Sequence, residues 1–231
     1  MVWPLSAFRD RRDFNLQRLG YGRSQFDAEF GIETAGLVHW SDLKVDSPNW
    51  VHSAAYYPAS LPIFRQAFEN LNVEWEEFTF VDFGSGKGRA LLLASEFPFK
   101  KIIGVEYSPE LNAIAEQNIR RYQSKTQKSR NFELVCTDFT EFPIPPGPLV
   151  CFLYNPADEV VMAKIAGEIA RSWQETPRDL YIVYLSPDYA HIFDAAGYLE
   201  RVGSGTQYVV YKSARGAAER RPGVTRPVDR A

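Results

Sequence analysis

The run Pro148-Leu-Val-Cys-Phe-Leu-Tyr154 constrains the fold more than any other stretch of this chain. It has strand length and almost no polar side, so it needs cover on both faces, as a central strand of a parallel sheet has. Phe78-Thr-Phe-Val-Asp-Phe83, Lys101-Ile-Ile-Gly-Val-Glu106, Asn131-Phe-Glu-Leu-Val-Cys136 and Leu180-Tyr-Ile-Val-Tyr-Leu185 read as four further strands.

Helical patterns separate them. Arg89-Ala-Leu-Leu-Leu-Ala-Ser95 opens a helix directly after the first strand. Ser108 offers an N-cap and Pro109 a first helical position, with Leu111, Ile114, Ala115, Ile119 and Tyr122 on one face. Asp158 can cap another helix, with Val161, Ile165, Ile169 and Trp173 as its buried stripe. Ser186-Pro187-Asp188 repeats the Ser-Pro-acid opening, and Gly197 can end that helix. Tyr198 to Val202 and Gln207 to Tyr211 read as an antiparallel hairpin across Gly203-Ser204-Gly205-Thr206. Strand-helix alternation implies right-handed crossovers. The expected class is α/β, a doubly wound, mostly parallel seven-stranded sheet with a C-terminal antiparallel hairpin and an N-terminal cap.

Three regions follow. Residues 1–60, dense in Tyr, Trp and His toward their end, form a substrate-side cap, with a candidate helix over Leu5 to Leu19. Residues 61–212, beginning with a helix over Leu61 to Leu71, form the ligand-binding domain. Residues 213–231 hold five Arg, two Pro and no aromatic residue, and read as a disordered tail. The net charge is −3, so with +3 on the tail the body carries −6. An acidic body is a poor general surface for nucleic acid, which places nucleic acid last among partners, after proteins and small molecules. No run approaches the about 18 apolar residues of a membrane span, and the N-terminus lacks a secretory core segment. Cys136 and Cys151 are too few for a disulfide or metal framework. They read as small buried hydrophobes in a reducing, cytoplasmic setting. His39, His52 and His191 have no ligand spacing, so no metal is expected. For His52 a general-base role stands beside a packed or solvated one.

Ligands of open parallel sheets bind beyond the carboxyl ends of the strands, where strand order reverses. The first strand-to-helix turn is Asp82-Phe83-Gly84-Ser85-Gly86-Lys87-Gly88. Gly84 and Gly86 permit positive φ and close approach of a ligand to bare backbone, Gly88 permits close packing on a neighbouring helix, and the helix-start amides can hold an anion. Arg89 stands where a dinucleotide fingerprint has its third glycine, and Lys87 is followed by Gly88 instead of the Ser or Thr of a P-loop. Glu106 ends the second strand 20 residues after Gly86, where an acid can accept both hydroxyls of a ribose. Asp138, after the third strand, can accept from an adenine amino group; taken singly it reads as a turn or cap residue.

Together Val81-Asp82-Phe83-Gly84-Ser85-Gly86-Lys87-Gly88, Gly104-Val105-Glu106-Tyr107-Ser108 and Thr137-Asp138-Phe139 resemble the first three motifs of class I, seven-strand S-adenosylmethionine-dependent methyltransferases. The resemblance runs over about 78–212. It implies S-adenosylmethionine as cofactor, held at its methionine end by Asp82 and the turn of Gly84, Ser85, Gly86 and Gly88, at its ribose by Glu106 with Tyr107 following, and at its adenine by Asp138 and Phe139. Tyr154-Asn155-Pro156-Ala157 is similar to the Asn/Asp-Pro-Pro-aromatic loop of amino-group methyltransferases, departing from it at Ala157 and Asp158. An Asn-Pro turn with Asp158 as helix cap is the equal alternative. Tyr56-Tyr57-Pro58-Ala59-Ser60 partly resembles the Tyr-x-Pro-Ser/Thr segment of seven-strand protein-lysine methyltransferases. Tyr57 or Ser60 would then contact the methionine end, or Ser60 would only cap the next helix. The candidate catalytic residues are Asn155 and Tyr57, and Asn155 also borders the cofactor. The expected reaction is N-methylation of a protein lysine or a small-molecule amine. A nicotinamide oxidoreductase and a non-catalytic cofactor-binding module are the alternatives.

Overall fold

The computed structural model describes residues 24–39, 43, 52, 54–69 and 71–214. The helix expected over Leu5 to Leu19 and nearly all of the expected tail lie outside them. A short helix α1 (Gln25–Phe30) is followed by α2 (Leu61–Glu69), β1 (Thr79–Phe83), α3 (Arg89–Ala94), β2 (Lys101–Glu106), α4 (Pro109–Arg121), β3 (Phe132–Cys136) and β4 (Leu149–Tyr154). Then come α5 (Glu159–Glu175), β5 (Leu180–Leu185), α6 (Ala190–Asp194), β6 (Leu199–Gly205) and β7 (Tyr208–Ser213). The strands form one sheet in the order β3-β2-β1-β4-β5-β7-β6. Strands β1 to β5 are parallel, and β7 runs antiparallel to both β5 and β6. This is the seven-stranded, mostly parallel sheet with a terminal hairpin that the alternating pattern implied.

The two-residue period of strands divides the core. Phe80, Phe152 and Val183 join the layer under α2 and α3, which contains Phe64, Phe68 and Leu91 to Leu93. Val81, Phe83, Cys151, Leu153 and Ile182 join the other layer, where α5 contributes Val161, Met162, Ile165, Ile169 and Trp173. Burying each large apolar side chain contributes roughly 1.5–3 kcal/mol, so these two layers set the sheet's position. The caps form as their residues predict: Ser108 Oγ accepts the Leu111 amide and Asp158 Oδ1 the Val161 amide.

Four details differ from expectation. Cys136 is exposed, because β3 is an edge strand covered on few sides, whereas Cys151 is buried and its thiol is pushed up to about 12 by that burial. Helix α6 starts at Ala190 and ends at Asp194, short of Gly197. Ser186 does not cap it: its φ is +47° and its amide donates to Gln207 O. In the hairpin, β6 continues to Gly205 through an irregularity between Arg201 and Gly203, leaving only Thr206 and Gln207 as the turn. Ser213, placed in the tail by sequence, closes β7; its Oγ accepts the Leu180 amide and donates to Arg178 O. Among the described residues, no helix is long and apolar enough to cross a membrane.

Candidate functional site

From β1 the chain moves outward to β2 on one side and returns to β4 on the other, so a crevice opens beyond the carboxyl end of β1. Asp82 is in register with Gly104 of β2 and Phe152 of β4. Strand periodicity puts Asp82 and Glu106 on one sheet face, that of α2 and α3. Both line the crevice, with Ser85, Arg89, Tyr107, Phe139 and Asn155.

Asp82 and Glu106 are each only 3% exposed. Burial pushes Glu106 up to about 7, against the pull of the Ser108, Gly86 and Tyr107 amides. Burial, together with the charge of Glu106, holds Asp82 well above the usual carboxylate range. Two buried acids in one crevice suit a cationic ligand with hydroxyl donors, which would restore the interactions that water gives an exposed carboxylate. Ser85 Oγ adds a buried polar atom without a hydrogen-bond partner on the same wall. These groups fit an adenosyl sulfonium with its ribose and amino-acid ends.

Gly84, Gly86 and Gly88 have φ of +83°, +52° and +82°, which L side chains rarely adopt. Gly88 packs on α4 as expected: a Cβ there would lie 3.1 Å from that of Ala115. Beside Gly84 and Gly86, however, stands protein. A Cβ at Gly84 would meet Pro156 at 2.9 Å, and one at Gly86 would meet the Tyr56 ring at 2.2 Å. The turn's donors are also engaged: the Gly84 and Ser85 amides donate to Val105 O, Gly86 to Glu106 Oε2 and Gly88 to Ser85 O. An anion at the helix start would find those four amides already in use. Glu106 Oε1 also accepts the Ser108 amide, so this carboxylate ties the glycine turn to the β2–α4 turn.

The remaining candidates divide. Tyr57, Tyr107, Phe139 and Asn155 line the crevice, whereas Asp138 and Ser60 do not. Asp138 Oδ1 accepts both the amide and the hydroxyl of Thr140, the turn role its sequence position allowed. Ser60 O accepts the Phe64 amide in the first turn of α2. Asn155 has φ +44°, which Asn tolerates better than most residues. Its Oδ1 accepts from Tyr184 Oη at 2.9 Å and its Nδ2 donates to Asp188 at 2.7 Å. His52 Nδ1 lies 2.7 Å from Asp158 Oδ2, and His52 is not among the crevice-lining residues.

Several residues that shape the site escaped the sequence reading. Arg89, 4% exposed, reaches Thr34 Oγ1, Ser24 Oγ and Asp27 Oδ1, and Asp27 also accepts the Thr34 and Ala35 amides. Lys87 donates to Glu33 and to Ala35 O. Asn118 of α4 bonds Glu33 and Lys87 O. Tyr56 Oη donates to Thr34 O. The available signal was a bare charge: Arg89 opens an otherwise apolar helix, and a cation buried there requires partners.

No curated protein matches the chain. Solved structures that resemble it include the mitomycin 7-O-methyltransferase MmcR, 16% identical over 67% of this chain at a TM-score of 0.48. Of that protein this chain spans only 53%. Others are the tRNA methyltransferase TrmI from Aquifex aeolicus, 18% identical over 68% of this chain and 69% of its own, TM-score 0.46, and an RNA methyltransferase from Salinibacter ruber, in complex with S-adenosylhomocysteine, 15% identical over 68% and 92%, TM-score 0.43. These names differ in acceptor, and they lend no support to placing nucleic acid last. Residues 81–175 match the family described as a methyltransferase domain. That match begins inside β1, ends with α5 and so encloses the glycine turn and both crevice acids; over this segment the chain is similar to a methyltransferase domain.

Proposed function

We propose that this protein methylates an amine, a protein lysine side chain or a small-molecule amine, in the crevice beyond β1. The carrying observation is that Asp82, Glu106 and Asn155 border one crevice. Asp82 would pair with the cofactor's ammonium and Glu106 would accept from its ribose, with Ser85, Tyr107 and Phe139 flanking. Residues up to 60 act as the acceptor-side cap, through Tyr57.

When bound, the cofactor supplies a methyl group on a sulfonium, which an attacking lone pair displaces in line. The protein's task is therefore alignment and exclusion of water. Positioning alone can supply roughly 7–11 kcal/mol of barrier reduction. Tyr56 and Pro156 wall the glycine turn, Ala54 N donates to Pro156 O and Asp158 N to His52 O, and these contacts fix the acceptor loop against the N-terminal segment. The amine must arrive deprotonated, and Asn155 and its loop would orient it.

The test is incubation of purified protein with tritiated cofactor and cell extract, with labelled species identified by mass spectrometry. Labelled lysines or amines that vanish in Glu106→Ala and Asp82→Ala support the reading. Label confined to nucleic acid, or equal in all three proteins, refutes it.

A further inference from the structure

At the acceptor side, Asn155 and Ser186 are the two residues other than glycine with positive φ among those described, at the carboxyl ends of the adjacent strands β4 and β5. A polar chain bridges the two ends. The Tyr189 amide donates to Tyr184 Oη at 3.3 Å, Tyr184 Oη donates to Asn155 Oδ1 at 2.9 Å, and Asn155 Nδ2 donates to Asp188 Oδ2 at 2.7 Å. The chain has a direction. A carboxylate only accepts, so the amide nitrogen faces Asp188; the Tyr184 hydroxyl already accepts from an amide, so its own proton goes to Oδ1. The amide of Asn155 is thus held in one of its two orientations.

We propose that Tyr184 and Asp188 are positioning residues for methyl transfer, which fix the Asn155 amide so that the second lone pair of Oδ1 takes an N–H of the acceptor amine. The proposal rests on the amine reading above and adds what orients the group that receives the amine. An unconstrained amide would present Nδ2 as readily as Oδ1, and a nitrogen donor there would compete for the lone pair that must attack the methyl group. Tyr184 suits the task. Its ring is fully buried and packs edge-on against Phe193, and burial holds its hydroxyl protonated well above neutral pH. Asp188 is exposed, so its loss leaves the core intact.

The test uses the full chain with tritiated cofactor and cell extract, and S-adenosylhomocysteine as the calorimetric probe. Tyr184→Phe and Asp188→Ala are each expected to slow labelling by roughly five- to ten-fold, with the S-adenosylhomocysteine Kd within about two-fold of wild type. Combined with Asn155→Ala, neither should slow labelling further, because both act through Asn155. Labelling at the wild-type rate in both single variants overturns the proposal, as do losses that add fully to that of Asn155→Ala. A Tyr184→Phe protein that fails to fold leaves Asp188→Ala to decide. Wild-type protein that binds S-adenosylhomocysteine but labels no amine removes the amine reading itself, and this inference with it.

Discussion

Glu106 accepts the Gly86 amide at 2.8 Å, joining residues 20 positions apart in sequence. The carboxylate on β2 that we propose as the ribose acceptor thereby also holds the shape of the turn after β1, and the protonation of one side chain affects both.

The first prediction concerns pH. Burial raises Glu106 to about 7. A carboxyl raised on folding contributes stability that is fully present below its unfolded value, here 4.5, and lost as pH rises through about 7. Cofactor affinity moves oppositely, because ribose hydroxyls donate best to the ionised form. Calorimetry with S-adenosylhomocysteine from about pH 6 to about pH 8 should show affinity rising several-fold, while unfolding midpoints fall. Glu106→Gln should remove the rise and, by turning one oxygen into a donor facing an amide, destabilise the turn by about 1–3 kcal/mol. A flat wild-type profile would contradict the assignment.

The second separates backbone strain from crowding. Gly31 and Gly86 have φ of +64° and +52°, but a Cβ at Gly31 meets nothing within 4 Å whereas one at Gly86 meets Tyr56 at 2.2 Å. Gly31→Ala should lower stability by only the left-handed penalty of about 1–2 kcal/mol. Gly86→Ala should cost more and weaken S-adenosylhomocysteine binding by at least about ten-fold, since the Tyr56 ring must leave the crevice wall. Adding Tyr56→Ala should recover part of the extra destabilisation. Urea midpoints of the four proteins decide it, and equal losses for the two glycines would show that Tyr56 does not press on the turn.

Much of the fold was legible because it is periodic. The apolar run of β4, the Ile165-Ile169-Trp173 stripe and the caps Ser108 and Asp158 are local signals, and each forms what its spacing implies. Three of the site's motifs sit at strand ends for the same reason. What could not be read depends on contacts distant in sequence. Arg89 looked like a broken dinucleotide fingerprint, yet its partners Ser24, Asp27 and Thr34 lie 55 to 65 residues earlier, with no pattern linking them. Tyr184 and Asn155 meet only because β4 and β5 are neighbours with Leu153 beside Tyr184. Ser186 resembled Ser108 in sequence but does not cap: its backbone has φ +47°, where the capping Ser108 is extended, and its amide donates to Gln207 O of the hairpin.

The third follows from Arg89 and Asp27, whose side chains are 4% and 8% exposed and 3.1 Å apart. Removing one member of a buried ion pair leaves the other charge uncompensated, at about 3–5 kcal/mol. Arg89→Met should lower stability on that scale. Asp27→Leu together with Arg89→Met should cost less than the sum of the single changes, because neither charge is then stranded. Thermal or urea unfolding measures this; fully additive losses would mean that the pair is not coupled.

The last opposes stability to binding at one residue. Asp82 is held above the usual carboxylate range by burial and by the charge of Glu106, so by the same sign rule as Glu106 its ionisation at neutral pH destabilises the protein without cofactor. Asn has nearly the same shape and no charge. Asp82→Asn should therefore unfold at the same temperature as wild type or higher at about pH 8, with the gain shrinking as pH falls and the wild-type acid takes up its proton. Its affinity for S-adenosylhomocysteine should drop about ten-fold or more, since a charge-assisted bond to the ammonium is lost. Paired melting and calorimetry on the two proteins test both halves. An Asp82→Asn protein that is less stable yet binds normally would show that this carboxylate supports the strand end and not the cofactor.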